Sequence, residues 1–352
     1  MRIGIAYDLK PKAALAGLPD DAFEEYDGEE TVTFLAAALG SLGHQAVLLG
    51  GGRGFLERLQ GEPVDLVWNL AEGCGGRCRE AHIPAILEFL GVPYTHSDPL
   101  TLAATLDKAV AKRLVSQAGV ATPPFTVAHT RGDISAAARL PGPLFVKPLD
   151  EGSSKGIRGN PICRNRGELE ERVGWLLAIY GRPVLIESFV SGREITVGVI
   201  GNRVSDGGQG PALLGVMEVL PRGGCDPDFV YSLEVKRDFA NRVSYKAPPD
   251  LPHSQLLRVE EAALAAYEAL ECRDVARKDF RRGEDGVPYF LEANPLPGLN
   301  PKTGDLPILA RLMWIEHGEL IRRILEAALG RLERASTRLA AVPEAAVAAG
   351  RI

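Results

Sequence analysis

No apolar run in this chain approaches the ~20 residues that an α-helix needs to cross a bilayer, so no helical membrane span is expected. There is no basic excess either. Lys and Arg number 40 against 46 Asp and Glu, and the net charge of −6 argues against a nucleic-acid-binding surface. Cysteine is sparse and unpatterned: Cys74, Cys78, Cys163, Cys225 and Cys272 are odd in number and scattered. Cys74 and Cys78 lack a second pair at zinc-ligand spacing, so all five read as reduced thiols. Internal repeats and long low-complexity segments are missing too. A dinucleotide fingerprint is not there: Gly50-Gly51-Gly52-Arg53-Gly54 does not fit GxGxxG and no suitably placed acid follows, which leaves a turn. With strand-like MRIGIAY at the start and no targeting pattern, a cytoplasmic protein is expected.

What is present is a chain of 352 residues, 45% hydrophobic, enough for a large core in two or three domains. Residues 3–7 read as a strand, 31–42 as a helix, 45–49 as a second strand and 64–68 as a third. That alternation predicts a small parallel α/β domain with functional loops at the strand carboxyl ends. The loop from Asn69 to Gly73 and the start of a helix over 80–90 carry Glu72, Arg77, Arg79 and Glu80. These form either a solvated charge cluster or a rim that recognises a substrate's carboxylate or ammonium.

The most informative stretch is Arg277 to Gly298, RKDFRRGEDGVPYFLEANPLPG. Two apolar segments flank an Asp-Gly turn, the pattern of a β-hairpin. Pairing brings Asp279 and Glu292 side by side. Asn294, two residues after Glu292, shares its face, and Arg277 shares the face of Asp279. Converging carboxylate and amide oxygens suit Mg²⁺, with Mn²⁺ as a substitute, completed by nucleotide phosphates. Arg277 is placed to neutralise a transferring phosphoryl group, and Pro297-Gly298 turns the chain so that an N–H is exposed.

Upstream, LFVK ends in Lys147, and Glu151-Gly152-Ser153-Ser154-Lys155-Gly156 is a small Gly/Ser loop whose N–H groups can approach phosphate oxygens. The loop also matches GxSxG, with Ser154 at the nucleophile position. No helix pattern follows until about Glu168, and neither His253 nor His317 is tied to it, so a serine hydrolase is disfavoured.

The strings RKDF and LEANPLPG resemble the metal-binding core of ATP-grasp enzymes, specifically the D-alanine–D-alanine ligase family. GVPYTHSDPLTLAATLDKAVAKRLVSQAGVATPPF and VLIESFVSGREITVGVIG extend the likeness over residues 64–311. The resemblance implies an α/β (α+β) ATP-grasp fold of three domains. These are an N-terminal parallel α/β domain (1–105), a small central domain (106–186) and a C-terminal antiparallel-sheet domain with helices (187–330), before a peripheral helical tail (331–352). It implies that Lys108 and Lys147 touch ATP phosphates and that Glu151, Ser153 and Ser154 belong to the phosphate loop. Glu187, Ser188, Phe189 and Val190 would lie by adenine, Glu194 by the ribose. Lys236, on a polar loop over the site, would reach the γ-phosphate, and Arg277 with the Gly298 N–H would stabilise an oxyanion.

On the substrate side the family pattern fails. The N-terminal Gly-Gly-x-Ser loop and its ammonium-binding Glu are replaced by an acidic insertion containing Asp20, Asp21, Glu24, Glu25, Asp27, Glu29 and Glu30. Glu72 stands for an expected His, Arg237 for a Tyr, and a Ser-Leu pair is replaced around Lys302-Thr303-Gly304. Arg77, Glu80 and Tyr245 complete the candidate substrate residues. Three readings follow: a related carboxylate–amine ligase acting on amino acids or a small acid plus an amino acid, a D-alanine–D-alanine ligase, or a nucleotide-binding protein without turnover. Family members are commonly dimers, so a homodimer is possible by analogy.

Overall fold

A computed structural model describes residues 1–13, 15–206, 208–224 and 226–340. Cys225 and the end of the expected tail, 341–352, lie outside the described residues.

Three sheets organise the chain. The first is parallel, in the order β2-β1-β3, from β1 (Arg2–Tyr7), β2 (Gln45–Leu48) and β3 (Leu66–Leu70). Its inward residues Ile3, Ile5 and Trp68 pack with Leu35 and Leu39 of the helix Glu29–Ser41 and with Leu320 and Ile324 of the helix His317–Ala340. The third strand sits two residues later than the sequence pattern predicts. Asn69 and Leu70, read as loop, continue the pairing with β1 because the Asn69 N–H finds Thr95 Oγ1 at 3.2 Å. A hydrogen-bonded Asn is tolerated where apolarity alone would end the strand.

The second sheet, order β4-β7-β5-β6, uses β4 (Phe125–Ala128), β5 (Leu144–Pro148), β6 (Ile162–Cys163) and β7 (Val184–Ser188). The third, order β10-β9-β8-β11-β12, is antiparallel and uses β8 (Gly192–Ile200), β9 (Ala212–Pro221), β10 (Val243–Lys246), β11 (Val275–Gly283) and β12 (Pro288–Asn294).

Residues 231–248, expected as a polar loop, form the short helices Leu233–Arg237 and Phe239–Arg242 and then edge strand β10. Ser232 accepts the Val235 N–H at the first helix start. The tail also begins differently. Residue 331 falls inside the helix His317–Ala340, and Arg331 is buried, its guanidinium 3.0 Å from the fully buried Asp274 carboxylate. A buried ion pair of this kind anchors the helix end, since truncating either partner strands a charge.

Candidate active site

The β11–β12 hairpin is as the sequence predicts: Asp279 faces Glu292 and Arg277 faces Asn294. A bulge after Asp279 pairs Phe280 with Phe290 and leaves Leu291 over. The bulge breaks strict alternation, so Leu291 and Glu292 both line a cavity while the edge-to-face pair Phe280–Phe290, 5.8 Å apart, stays in the core.

Two cavities meet at this hairpin. One, of about 880 Å³, lies between the second and third sheets, and the other, of about 1100 Å³, opens towards the acidic segment and residues 294–305. Ser153, Lys236, Arg277, Glu292 and Asp305 line both.

At the junction the charges are interlocked. Arg277 spans Asp279 at 2.8 Å and Asp305 at 3.0 Å. Asp279 also accepts from Thr196 Oγ1 at 2.9 Å and Asn294 Nδ2 at 3.1 Å. Burial raises the Asp279 pKa above the ordinary value; Arg277 opposes this and the Glu292 charge reinforces it. Burial would raise Glu292 too, but Lys108, Lys147 and Arg277 outweigh it and hold Glu292 at about 2. Lys108 Nζ lies 3.6 Å from that carboxylate. Among the described residues no three His, Cys, Asp or Glu side chains converge on one point, so a metal here would take two carboxylates, the Asn294 amide oxygen and ligands from outside the protein. That hard-oxygen set fits a divalent cation.

In the first cavity Lys147 is buried. Burial alone would depress its pKa, yet Glu187 and Glu292 hold it above the ordinary value. Glu187, expected beside adenine, has its carboxylate engaged instead by Lys147 at 3.3 Å and Lys112 at 2.8 Å. Lys112 also donates to Thr122 Oγ1 and to the Phe290 carbonyl, both at 3.0 Å, and its own pKa is pushed down to about 8 by burial against the pull of Glu187. Glu194 accepts from Arg281 at 2.8 Å and from the Tyr231 N–H at 3.2 Å. Ser188, Phe189 and Val190 line the cavity beside Phe145, which stacks on Phe189.

The loop at 151–156 divides its labour. Ser153 faces both cavities with φ 49°. The Glu151 carbonyl accepts from Lys108 Nζ at 2.5 Å, while the Glu151 carboxylate turns away from the cleft to Lys155 and to Arg79, at 3.5 Å from the latter. Ser154 donates its hydroxyl to the Tyr231 carbonyl at 2.9 Å, which leaves it without the base that a nucleophile requires. The hydrolase reading falls on that geometry.

The expected substrate residues split. Glu72, Glu80 and Thr303 line the second cavity, as does Gly298, whose N–H is expected to stabilise an oxyanion. Arg77 is drawn out to Asp107 at 2.7 Å. Arg237 clasps Asp20 at 2.8 Å and Glu24 at 2.9 Å, tying the acidic segment to the helix that carries Lys236. Tyr245 is hydrogen-bonded to Tyr231 through their hydroxyls at 2.8 Å, and Lys302 pairs with Glu30 on the surface. Each of these four finds a protein partner rather than the cleft.

Sequence reasoning missed Lys112, Thr196, Arg281 and Asp305. Arg281 continues the 277–279–281 alternation of β11 and was legible; the others come into reach only through tertiary pairing.

Residues 114–326 match the family described as D-ala D-ala ligase C-terminus. A D-alanine–D-alanine ligase of Gloeobacter violaceus is 35% identical, over 83% of this chain and 91% of its own length. An uncharacterised protein of Sinorhizobium fredii is 31% identical, over 84% and 86%. The crystal structure of a Bacillus anthracis D-alanine–D-alanine ligase complexed with ATP superposes with a TM-score of 0.71 over 95% of this chain and 99% of that one, at 24% identity.

Proposed function

The chain belongs to the D-alanine–D-alanine ligase family, and from that premise we propose how its two cavities divide the work of an ATP-dependent carboxylate–amine ligase. It is an ATP-grasp enzyme that acts on small molecules with ATP and a divalent metal; no helix among the described residues is long and apolar enough to cross a membrane. The observation that carries the assignment of roles is the interlocked junction of Asp279, Glu292, Asn294 and Arg277, with Lys108, Lys147 and Lys236 around it.

In this reading the first cavity holds ATP, with adenine by Ser188, Phe189 and Val190 and the phosphates towards Lys147, Ser153 and Lys236. Glu187 positions Lys147 and Glu194 positions Arg281. Asp279, Glu292 and Asn294 would hold Mg²⁺, which would supply positive charge to neutralise phosphate oxygens. A substrate carboxylate oxygen attacks the γ-phosphorus, the bond to ADP breaks, and an acyl phosphate forms. An amine nitrogen then attacks the acyl carbon. The carbon–oxygen bond to phosphate breaks, phosphate leaves with the electron pair, and the nitrogen's proton goes with it. Arg277 and the Gly298 N–H stabilise the charge on the acyl oxygen. The substrates are amino acids, or a small acid plus an amino acid. The names of the relatives favour a second reading, D-alanine joined to D-alanine. A cytoplasmic homodimer is the accompanying proposal.

Mg²⁺-dependent phosphate release from ATP, screened over paired acids and amines with mass detection of the dehydrated product, tests this. Amide formed with ADP and phosphate supports it; AMP and pyrophosphate as products would reject the acyl-phosphate route.

A further inference from the structure

The second cavity is lined by more acidic side chains than the bases around it engage. Of its acidic lining, Glu24 and Glu25 are held by Arg237 and Arg79, each at 2.9 Å, and Asp305 by Arg277. Glu72 and Glu80 are different. Both line the cavity, Glu80 is only 8% exposed, and among the described residues neither receives a hydrogen bond or forms an ion pair. Asp27, close enough to act on Glu72, lines the same wall.

Among the described residues, the bases that act on Glu80 are already engaged. Arg79 is held between Glu25 and, at 3.5 Å, Glu151, and Lys108 faces Glu292. The carboxylates do not converge tightly enough for one metal ion. Burial therefore pushes the Glu80 carboxyl up to about 8 and Glu72 well above its ordinary range, each raised further by neighbouring carboxylates despite Arg79. Buried Glu80 and half-buried Glu72, with nothing to pair, ionise at a cost to stability unless a ligand supplies positive charge.

Arg277 is committed to Asp279 and Asp305, and Lys236 is left for phosphate. We propose that one substrate of this ligase is dibasic, a diamino acid or a diamine, with its second, non-reacting ammonium seated between Glu72 and Glu80 and with Asp27 alongside. This rests on the ligase reading for the chemistry, but not for the binding.

The test separates the two. Calorimetric titration of the full chain, holding a non-hydrolysable ATP analogue and Mg²⁺, compares lysine, ornithine and cadaverine with norleucine, alanine and pentylamine. The same compounds are screened for phosphate release and amide mass with ATP. Dibasic compounds are expected to bind at least about tenfold more tightly, and Glu80→Gln or Glu72→Gln to remove that preference, with the ATP-induced rise in melting temperature as the check on folding. Binding and turnover together support both claims. Dibasic binding without any turnover would keep the clamp and reject the ligase. Turnover with equal or better use of monobasic compounds would overturn the clamp and keep the ligase. Tight binding of neither class, with no turnover, would overturn both.

Discussion

The two cavities share one lip but treat charge in opposite ways. On the side between the second and third sheets, acids and bases are matched: Glu187 with Lys112 and Lys147, Glu194 with Arg281, Asp279 with Arg277. On the other side Glu72 and Glu80 face a cavity with no partner among the described residues. Matched buried pairs hold a fixed shape, as a site for a constant ligand such as ATP requires. Unmatched acids are costly in the free protein and leave a charge for the ligand to supply, which is how a specificity pocket is built.

The largest expected effect falls where the cavities meet. Asp279→Asn or Glu292→Gln should lower kcat/KM by about 10³-fold or more, since a lost metal carboxylate acts on the phosphoryl-transfer step; near-native turnover in either would sink the metal assignment. Next comes Glu187→Gln, which leaves Lys147 and Lys112 unneutralised in the core. The expected result is a KM for ATP raised about tenfold with a smaller change in kcat, the mark of a positioning residue. An unchanged KM would make the Glu187 triad purely structural.

A subtler contrast lies in pH. Glu80 has a folded pKa of about 8 against an ordinary 4.5, so between those values the folded state keeps a proton that the unfolded state has lost. Its contribution is full below pH 4.5 and is lost as pH rises to about 8. Glu292, held at about 2, does the reverse: its contribution is full above 4.5 and is lost as pH falls towards 2. Glu80→Gln should therefore stabilise the ligand-free protein by on the order of 4 kcal/mol at pH 8.5 and by much less at pH 5, read by urea melts. An equal effect at both pH values would contradict the burial of an unpaired acid. The smallest effect belongs to Ser154→Ala, where only the hydrogen bond to the Tyr231 carbonyl is lost. Turnover should stay within about twofold, at ~1 kcal/mol of stability.

How much was legible follows the same division. The ATP side is written in short-range spacing: i and i+2 on a strand put Arg277 with Asp279 and Glu292 with Asn294, and a turn pairs them. The substrate side is assembled from residues 24–28, 72–80 and 294–305, which only the fold brings together. Arg237 and Lys302 looked like substrate cations because sequence cannot show that Asp20, Glu24 and Glu30 are waiting for them. The strand β3 ran on through Asn69 for a similar reason, a hydrogen bond from a residue 26 positions away.

The central claim, that a substrate carboxylate takes the γ-phosphoryl group of ATP, is tested most directly by oxygen tracing. An acid substrate labelled with ¹⁸O in its carboxylate is turned over with ATP, Mg²⁺ and an amine, and the released phosphate is weighed. The account predicts one ¹⁸O atom in each phosphate formed with amide. Unlabelled phosphate accompanying amide would contradict it.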